Sequence, residues 1–124
     1  MYIMKKYLIL ILILIGVNYA NAQSCEEIMD FVKSKSYGTT YTSYDSEAIS
    51  KVTFYTVSVD YKTLYFAIVC FKRQYSYSCN EYIYQVASNT KLNYSLEHYD
   101  SAGKAFWKNI QPYADVLGCS PNFD

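Results

Sequence analysis

The sequence has a single histidine, His98, and no two of its four cysteines form a C-x-x-C pair. A structural zinc site draws four Cys or His ligands from short, regular spacings, so no metal site is expected, and no cofactor either. No Gly-x-Ser-x-Gly turn is present to hold a nucleophilic serine. Basic residues do not outnumber acidic ones, 11 against 11, and they form no stripe. That lacks the field whose counterion release drives nucleic-acid binding. There is no internal repeat and no low-complexity run. The one long apolar run, Leu8 to Val17, falls short of the roughly 20 residues that span a bilayer.

What is present begins with an export signal. Lys5 and Lys6, the apolar run and Ala20-Asn21-Ala22 follow the order of a cleavable signal peptide. Residues 1–22 are therefore expected to be removed, leaving residues 23–124 as one secreted or periplasmic domain with no membrane-spanning segment. Cleavage takes away two lysines and no acid, leaving nine basic against eleven acidic side chains, a net charge of −2.

All four cysteines, Cys25, Cys70, Cys79 and Cys119, follow the cleavage site, and an even number in an exported chain reads as two disulfides. Three pairings are possible. Position favours Cys25 with Cys119, tying two terminal segments together, and Cys70 with Cys79, closing a hairpin loop. The alternative is a buried thiol at Cys70, on the face of Leu64, Phe66 and Ile68, with Cys79 left alone.

The pattern along the mature chain is α+β. Ser24 and Glu27 form a capping box that starts a helix at Cys25, with Ile28, Phe31 and Val32 on its apolar stripe and an end near Lys35. Residues Tyr37 to Ser46 read as an extended connector or edge segment. Ile49 to Val59 and Thr63 to Phe71 are rich in β-branched and aromatic residues and read as a hairpin turning at Asp60-Tyr61-Lys62. The run Leu64 to Phe71 is apolar on both faces, as in a strand covered on both sides. After an exposed loop from Lys72 to Asn80, Glu81 to Ala87 forms a third strand with Tyr82, Tyr84 and Val86 on one face. A short helix around Leu92 to Tyr99 follows. A stronger one runs from Ser101 to about Gln111, capped by Asp100 or Ser101, with Phe106, Ile110 and Tyr113 as its core face. Pro112 and Gly118 end regular structure. The expectation is a small antiparallel sheet, a hairpin plus a third strand, with an N-terminal helix and C-terminal helices packed on it.

These segments resemble the KTSC domain family. The likeness is carried by Ser46 to Tyr55, Leu64 to Phe71, Glu81-Tyr82-Ile83-Tyr84-Gln85-Val86, and Ser101-Ala102-Gly103-Lys104-Ala105-Phe106 with Ile110 and Tyr113, about two thirds of the mature chain. The resemblance implies a hairpin-rich sheet followed by helices, with a Ser-x-Gly-x-x-Phe segment and an Ile-x-x-Tyr end. It also implies a nucleic-acid association and supplies no catalytic residues. The small residues of Ser101-Ala102-Gly103 are expected to cap the helix and let its start approach the sheet.

Three groups of side chains invite a functional reading. His98, with Asp100 and Ser95 or Ser101, contains the residue types of a hydrolase base and nucleophile; a solvated surface histidine is the plainer expectation. Lys104 and Lys108 flank Trp107 on the last helix, a face open to a partner. The 16 tyrosines include Tyr75 and Tyr77 in the exposed hairpin loop, where an apolar body with a polar tip suits contact. The function expected is a non-catalytic binding module for a protein, peptide or glycan. A nucleic-acid module and a small hydrolase using His98 are the alternatives.

Overall fold

The computed structural model describes residues 17–123, with side chains from residue 25 onward. Lys5, Lys6 and the apolar run up to residue 16 lie outside the described residues. The fold is α+β, with a four-stranded antiparallel sheet in the order β1-β2-β3-β4. The elements are helix α1 (Val17–Lys35), strands β1 (Thr39–Thr42), β2 (Ile49–Val59), β3 (Lys62–Lys72) and β4 (Cys79–Val86), and helices α2 (Thr90–Glu97), α3 (Ala102–Asn109) and α4 (Ala114–Leu117).

The β2–β3 hairpin forms where expected, with pairing from Val59 opposite Lys62 to Ile49 opposite Phe71. Its turn is two residues long. Asp60 and Tyr61 have φ of 50° and 66°, the double left-handed combination whose twist matches that of the flanking strands. Strand β3 is central, and β4 joins it from Tyr65 opposite Val86 to Lys72 opposite Cys79. The loop between them is shorter than the sequence suggests, because both strands run to the disulfide Cys70–Cys79 (Cα–Cα 5.3 Å). The fourth strand, β1, comes from the Tyr37 to Ser46 segment and pairs only with β2. It lies against β2 because residue 38 is glycine. A Cβ there would stand 2.3 Å from Thr53 Cγ2 and 2.8 Å from the Tyr55 ring.

Both faces of β3 are buried, each under its own layer. On one face Phe54, Ala67, Val69 and Tyr84 meet Tyr94 of α2, Ala102, Ala105 and Phe106 of α3, and Ile110. On the other, Val57, Phe66, Ile68 and Ile83 meet Val32 of α1 and Cys119, with Ile28, Met29 and Leu117 at the margin. The second disulfide, Cys25–Cys119 (Cα–Cα 5.7 Å), ties α1 to the C-terminal tail across 94 residues. The tail then rounds the β4 edge. Ser120 Oγ reaches the Tyr84 hydroxyl at 2.9 Å, and the Phe123 ring lies 5.6 Å from Phe71 and 5.1 Å from Trp107.

Several expectations are corrected. Helix α1 (Val17–Lys35) already contains Ser24, which therefore lies inside the helix rather than at its cap. The stripe it packs on the sheet is Cys25, Ile28, Met29 and Val32, spaced i, i+3, i+4 and i+7, with Val32 fully buried and the other three partly so; Phe31 is exposed, with Lys35 Nζ 5.6 Å from its ring centre. Pro112 does not end regular structure but sits in a 3₁₀ turn, Gln111–Tyr113, that leads into α4. Gly118 closes α4 in the left-handed conformation, φ 69°.

Two outcomes follow from this packing. Phe106 is 1% exposed and meets Phe71, Tyr84 and Phe123 edge-on, so Phe106→Ala is expected to cost about 3–5 kcal/mol in urea unfolding. In the chain-entropy account the 94-residue closure contributes about 4–5 kcal/mol and the nine-residue closure about 2–3 kcal/mol. Replacing Cys25 and Cys119 by serine is thus expected to destabilise more than replacing Cys70 and Cys79, and the reverse order in the same assay would contradict this account.

Candidate functional site

A groove of about 580 Å³ is lined by residues 42–48, the end of β1 and its connection to β2, and by residues 98–103, the connection from α2 and the first residues of α3. The connection between the strands is fixed at both ends. Ser43 N donates to Ser50 O at 2.9 Å, and Ile49 N donates to Ser46 Oγ at 3.0 Å. From β3, Lys72 N donates to Ala48 O at 2.7 Å, and the Lys72 ammonium donates to the Ser46 carbonyl. The opposite wall is fixed by the start of α3. Ser101 is extended (φ −159°, ψ 114°) and its Oγ accepts from Lys104 N at 3.1 Å, as its place before the helix leads one to expect.

Gly103 behaves differently from expectation. Ala102 is buried against the sheet, but a Cβ on Gly103 would meet nothing closer than Ser101 Oγ at 3.9 Å. Its small size does not serve the approach of helix to sheet. It lines the groove, and a side chain there would have open space.

His98 forms part of the groove floor and is not a solvated surface residue, being 8% exposed. Its ring stacks on Tyr94, one helical turn earlier, at 5.4 Å and 7°, and packs against Tyr41 at 5.3 Å and Tyr99 at 4.2 Å. Burial among these rings lowers its pKa from the usual 6.5. Beneath the groove, His98 Nε2, the Tyr94 hydroxyl and Ser43 Oγ are all buried and make no hydrogen bond among the described residues. The Tyr94 phenol is pushed up to about 12 by burial, partly offset by the neighbouring Ser43 hydroxyl, although the two oxygens lie outside normal hydrogen-bond geometry. Each unpartnered buried polar group costs roughly 1–3 kcal/mol.

The structure does not assemble the hydrolase arrangement. Ser95 Oγ donates to Leu92 O at 2.6 Å, Ser101 Oγ is the helix cap, and neither hydroxyl is hydrogen-bonded to His98. Trp107 is about half exposed and rests on Phe106 and Phe123. Beside it Lys108 pairs with Glu97 at 3.1 Å, while Lys104 is exposed. Tyr75 and Tyr77 are fully exposed, in a hairpin at the same end of the sheet as the groove, as the pairing of Phe71 with Ile49 requires. Among the described residues no cluster of three or more His, Cys, Asp or Glu side chains is placed to hold a metal, and no helix is long and apolar enough to cross a membrane. Comparisons with family models, with curated proteins and with solved structures find no match for this chain.

The buried rings give stability a defined pH profile. His98 has a lowered pKa when folded, so its contribution is complete above about 6.5 and is lost as pH falls below that value. Tyr84 and Tyr94 have pKa values raised to about 12, so their contributions are complete below about 10 and are lost as pH rises from 10 towards 12. Unfolding free energy is expected to fall at both limits, and His98→Gln to flatten the acid side alone. A histidine C2–H titration with its midpoint at or above 6.5 would refute the burial argument.

Proposed function

We propose that this chain is an exported, non-catalytic binding module whose ligand surface is the groove between residues 42–48 and 98–103. The observation that carries this reading is the groove itself, a concavity of about 580 Å³ between two connections that hydrogen bonds hold in place. It is lined by the polar side chains of Ser43, Asp45, Ser46, Glu47, Asp100 and Ser101 and bordered by the exposed rings of Tyr44 and Tyr99, with the buried His98 ring behind them. Polar groups converging on a concave surface are the usual makings of a ligand site. Two disulfides fit a protein that works in an oxidising compartment. The KTSC resemblance belongs to the same proposal, supported by the succession of hairpin, third strand and Ser101-capped helix. A nucleic-acid role draws less support, since Lys108 is already paired with Glu97 and the mature chain is acidic.

Export carries a structural consequence. Cleavage after Ala22 would cut within α1 and leave its remaining part to start beside Ser24, where the Ser24 and Glu27 cap can form. N-terminal sequencing of the exported protein is expected to begin at or within two residues of Gln23; a start at Met1, or beyond Cys25, would refute this.

The groove itself is tested by amide NMR of the oxidised protein against panels of short peptides and oligosaccharides. Binding is expected to shift residues 42–48 and 98–103 and to be lost in Gly103→Leu, which fills the opening without changing charge. Shifts confined to Tyr75, Tyr77 or Trp107 would move the binding role to those residues.

A further inference from the structure

We propose that the protein pairs with a second copy of itself through the free edge of β1, which continues the four-stranded sheet across a two-fold axis beside Tyr41. Strand β1 is an edge, bonded only to β2. Which of its backbone groups are free follows from the register. Thr39 stands opposite Phe54 and Thr42 opposite Lys51, and the bond from Ser43 N to Ser50 O continues the same ladder. Bonded and non-bonded pairs alternate along an antiparallel ladder, so Thr39, Tyr41 and Ser43 direct their N–H and C=O groups to β2. Thr40 and Thr42 direct theirs outward. The approach of Thr40 Oγ1 to Thr53 Oγ1, 2.9 Å, agrees, since side chains come closest at pairs that share no backbone bond.

Edge strands are usually blunted by charge, proline or a bulge. The β4 edge has Glu81, bridged to Lys33, and the tail passing round it. From Ser36 to Tyr44 the β1 segment has no charged residue and no proline, and its pairing with β2 runs without a register shift. A two-fold axis at Tyr41, the arrangement in which one patch meets itself, sets Thr40 of each copy opposite Thr42 of the other. Each such pair can exchange two backbone bonds, with threonine facing threonine.

The layer above β1 identifies the occupant. A four-residue edge buries far less than the roughly 1,200 Å² of a stable interface, so the partner must also meet α2. Tyr94 of α2 touches Tyr41 of β1 and Phe54 of β2, with ring centres 6.3 and 5.6 Å away, which puts the helix over the boundary between these strands. Strands lie roughly 4.8 Å apart, and the axis passes half a spacing outside β1. The two α2 helices are then separated by roughly 9.6 Å, inside the range of roughly 8–10 Å for packed helices. Helix α2 turns Tyr94 to the sheet and Glu97 to Lys108 of α3. By helical spacing its remaining flank, on the side of the free edge, has Lys91, Ser95 and Leu92, and Leu92 is 61% exposed. An extended peptide could fill the edge but would leave Leu92 bare; a second copy covers both. The pairing does not depend on what the groove binds.

The test is sedimentation equilibrium of the oxidised exported protein over a wide concentration range, with amide hydrogen exchange measured at both ends of it. The mass is expected to rise towards twice that of the monomer. Exchange at Thr40 and Thr42 is expected to slow at least about tenfold at the high end, while Ser43, whose amide is already bonded, stays as it was. Thr40→Pro removes an outward N–H and no bond to β2, so it is expected to raise the dimer dissociation constant at least about tenfold. Leu92→Glu, at an exposed position, is expected to do the same without altering the strand. A monomer at every concentration would overturn the proposal. So would a dimer in which Thr40 and Thr42 exchange as in the monomer, a dimer indifferent to Leu92→Glu, or protection of the two amides only when an extended peptide is added.

Discussion

From Leu64 to Phe71 strand β3 carries no charged side chain, and side chains on both of its faces are buried. A sheet built around such a strand must be covered twice, since each fully buried aliphatic or aromatic side chain contributes roughly 1.5–3 kcal/mol that exposure would forfeit. The rest of the chain follows from that demand. One face is covered by contiguous sequence, α2 and α3, which follow β4 directly. The other is covered by pieces from opposite ends, α1 and the segment around Leu117 and Cys119. The Cys25–Cys119 bond joins those two pieces to each other, so the thinner layer is held covalently where its apolar contacts are few.

The groove is a by-product of the same arrangement. The short α2 and α3 meet at a bend over the end of the sheet where β2 begins and β3 ends, and the β1–β2 connection passes opposite that bend. The rings of Tyr41, Tyr94 and His98 fill the space below, and the Tyr94 hydroxyl and His98 Nε2 among them make no hydrogen bond among the described residues. The groove therefore lies where two connections face each other at the end of the sheet, each pinned by hydrogen bonds to regular structure behind it.

Much of the fold was legible because its signals are local. The hairpin was written in β-branched and aromatic runs on either side of Asp60-Tyr61, the α3 cap in Ser101, and its core face in the spacing of Phe106 and Ile110. Strand β1 was harder to read: as an edge strand of Thr and Tyr with only Tyr41 partly buried, it carries almost no apolar alternation. The choice of Met29 over Phe31 for the stripe of α1 depends on how the helix is rotated against the sheet, which its own sequence leaves open by one position. The burial of His98 was invisible, because Tyr41, which closes over it, lies far away in sequence. The groove was hidden for the same reason, being made of two polar segments some fifty residues apart, each of which alone reads as an ordinary solvated connection.

The bond between Cys25 and Cys119 also sets an order of events. A chain is made from its N-terminus, and Cys119 follows Cys25 by 94 residues, after every strand and after the helices over the first face. Strands β2, β3 and β4 and the helices over their first face precede Leu117 and Cys119 in the chain and can assemble before them, but the second face waits for those two residues. Until then Val57, Phe66, Ile68 and Ile83 have only an untethered α1 to cover them. The period of greatest exposure to mispairing and aggregation thus precedes the arrival of Cys119, and a Cys119→Ser change would prolong it.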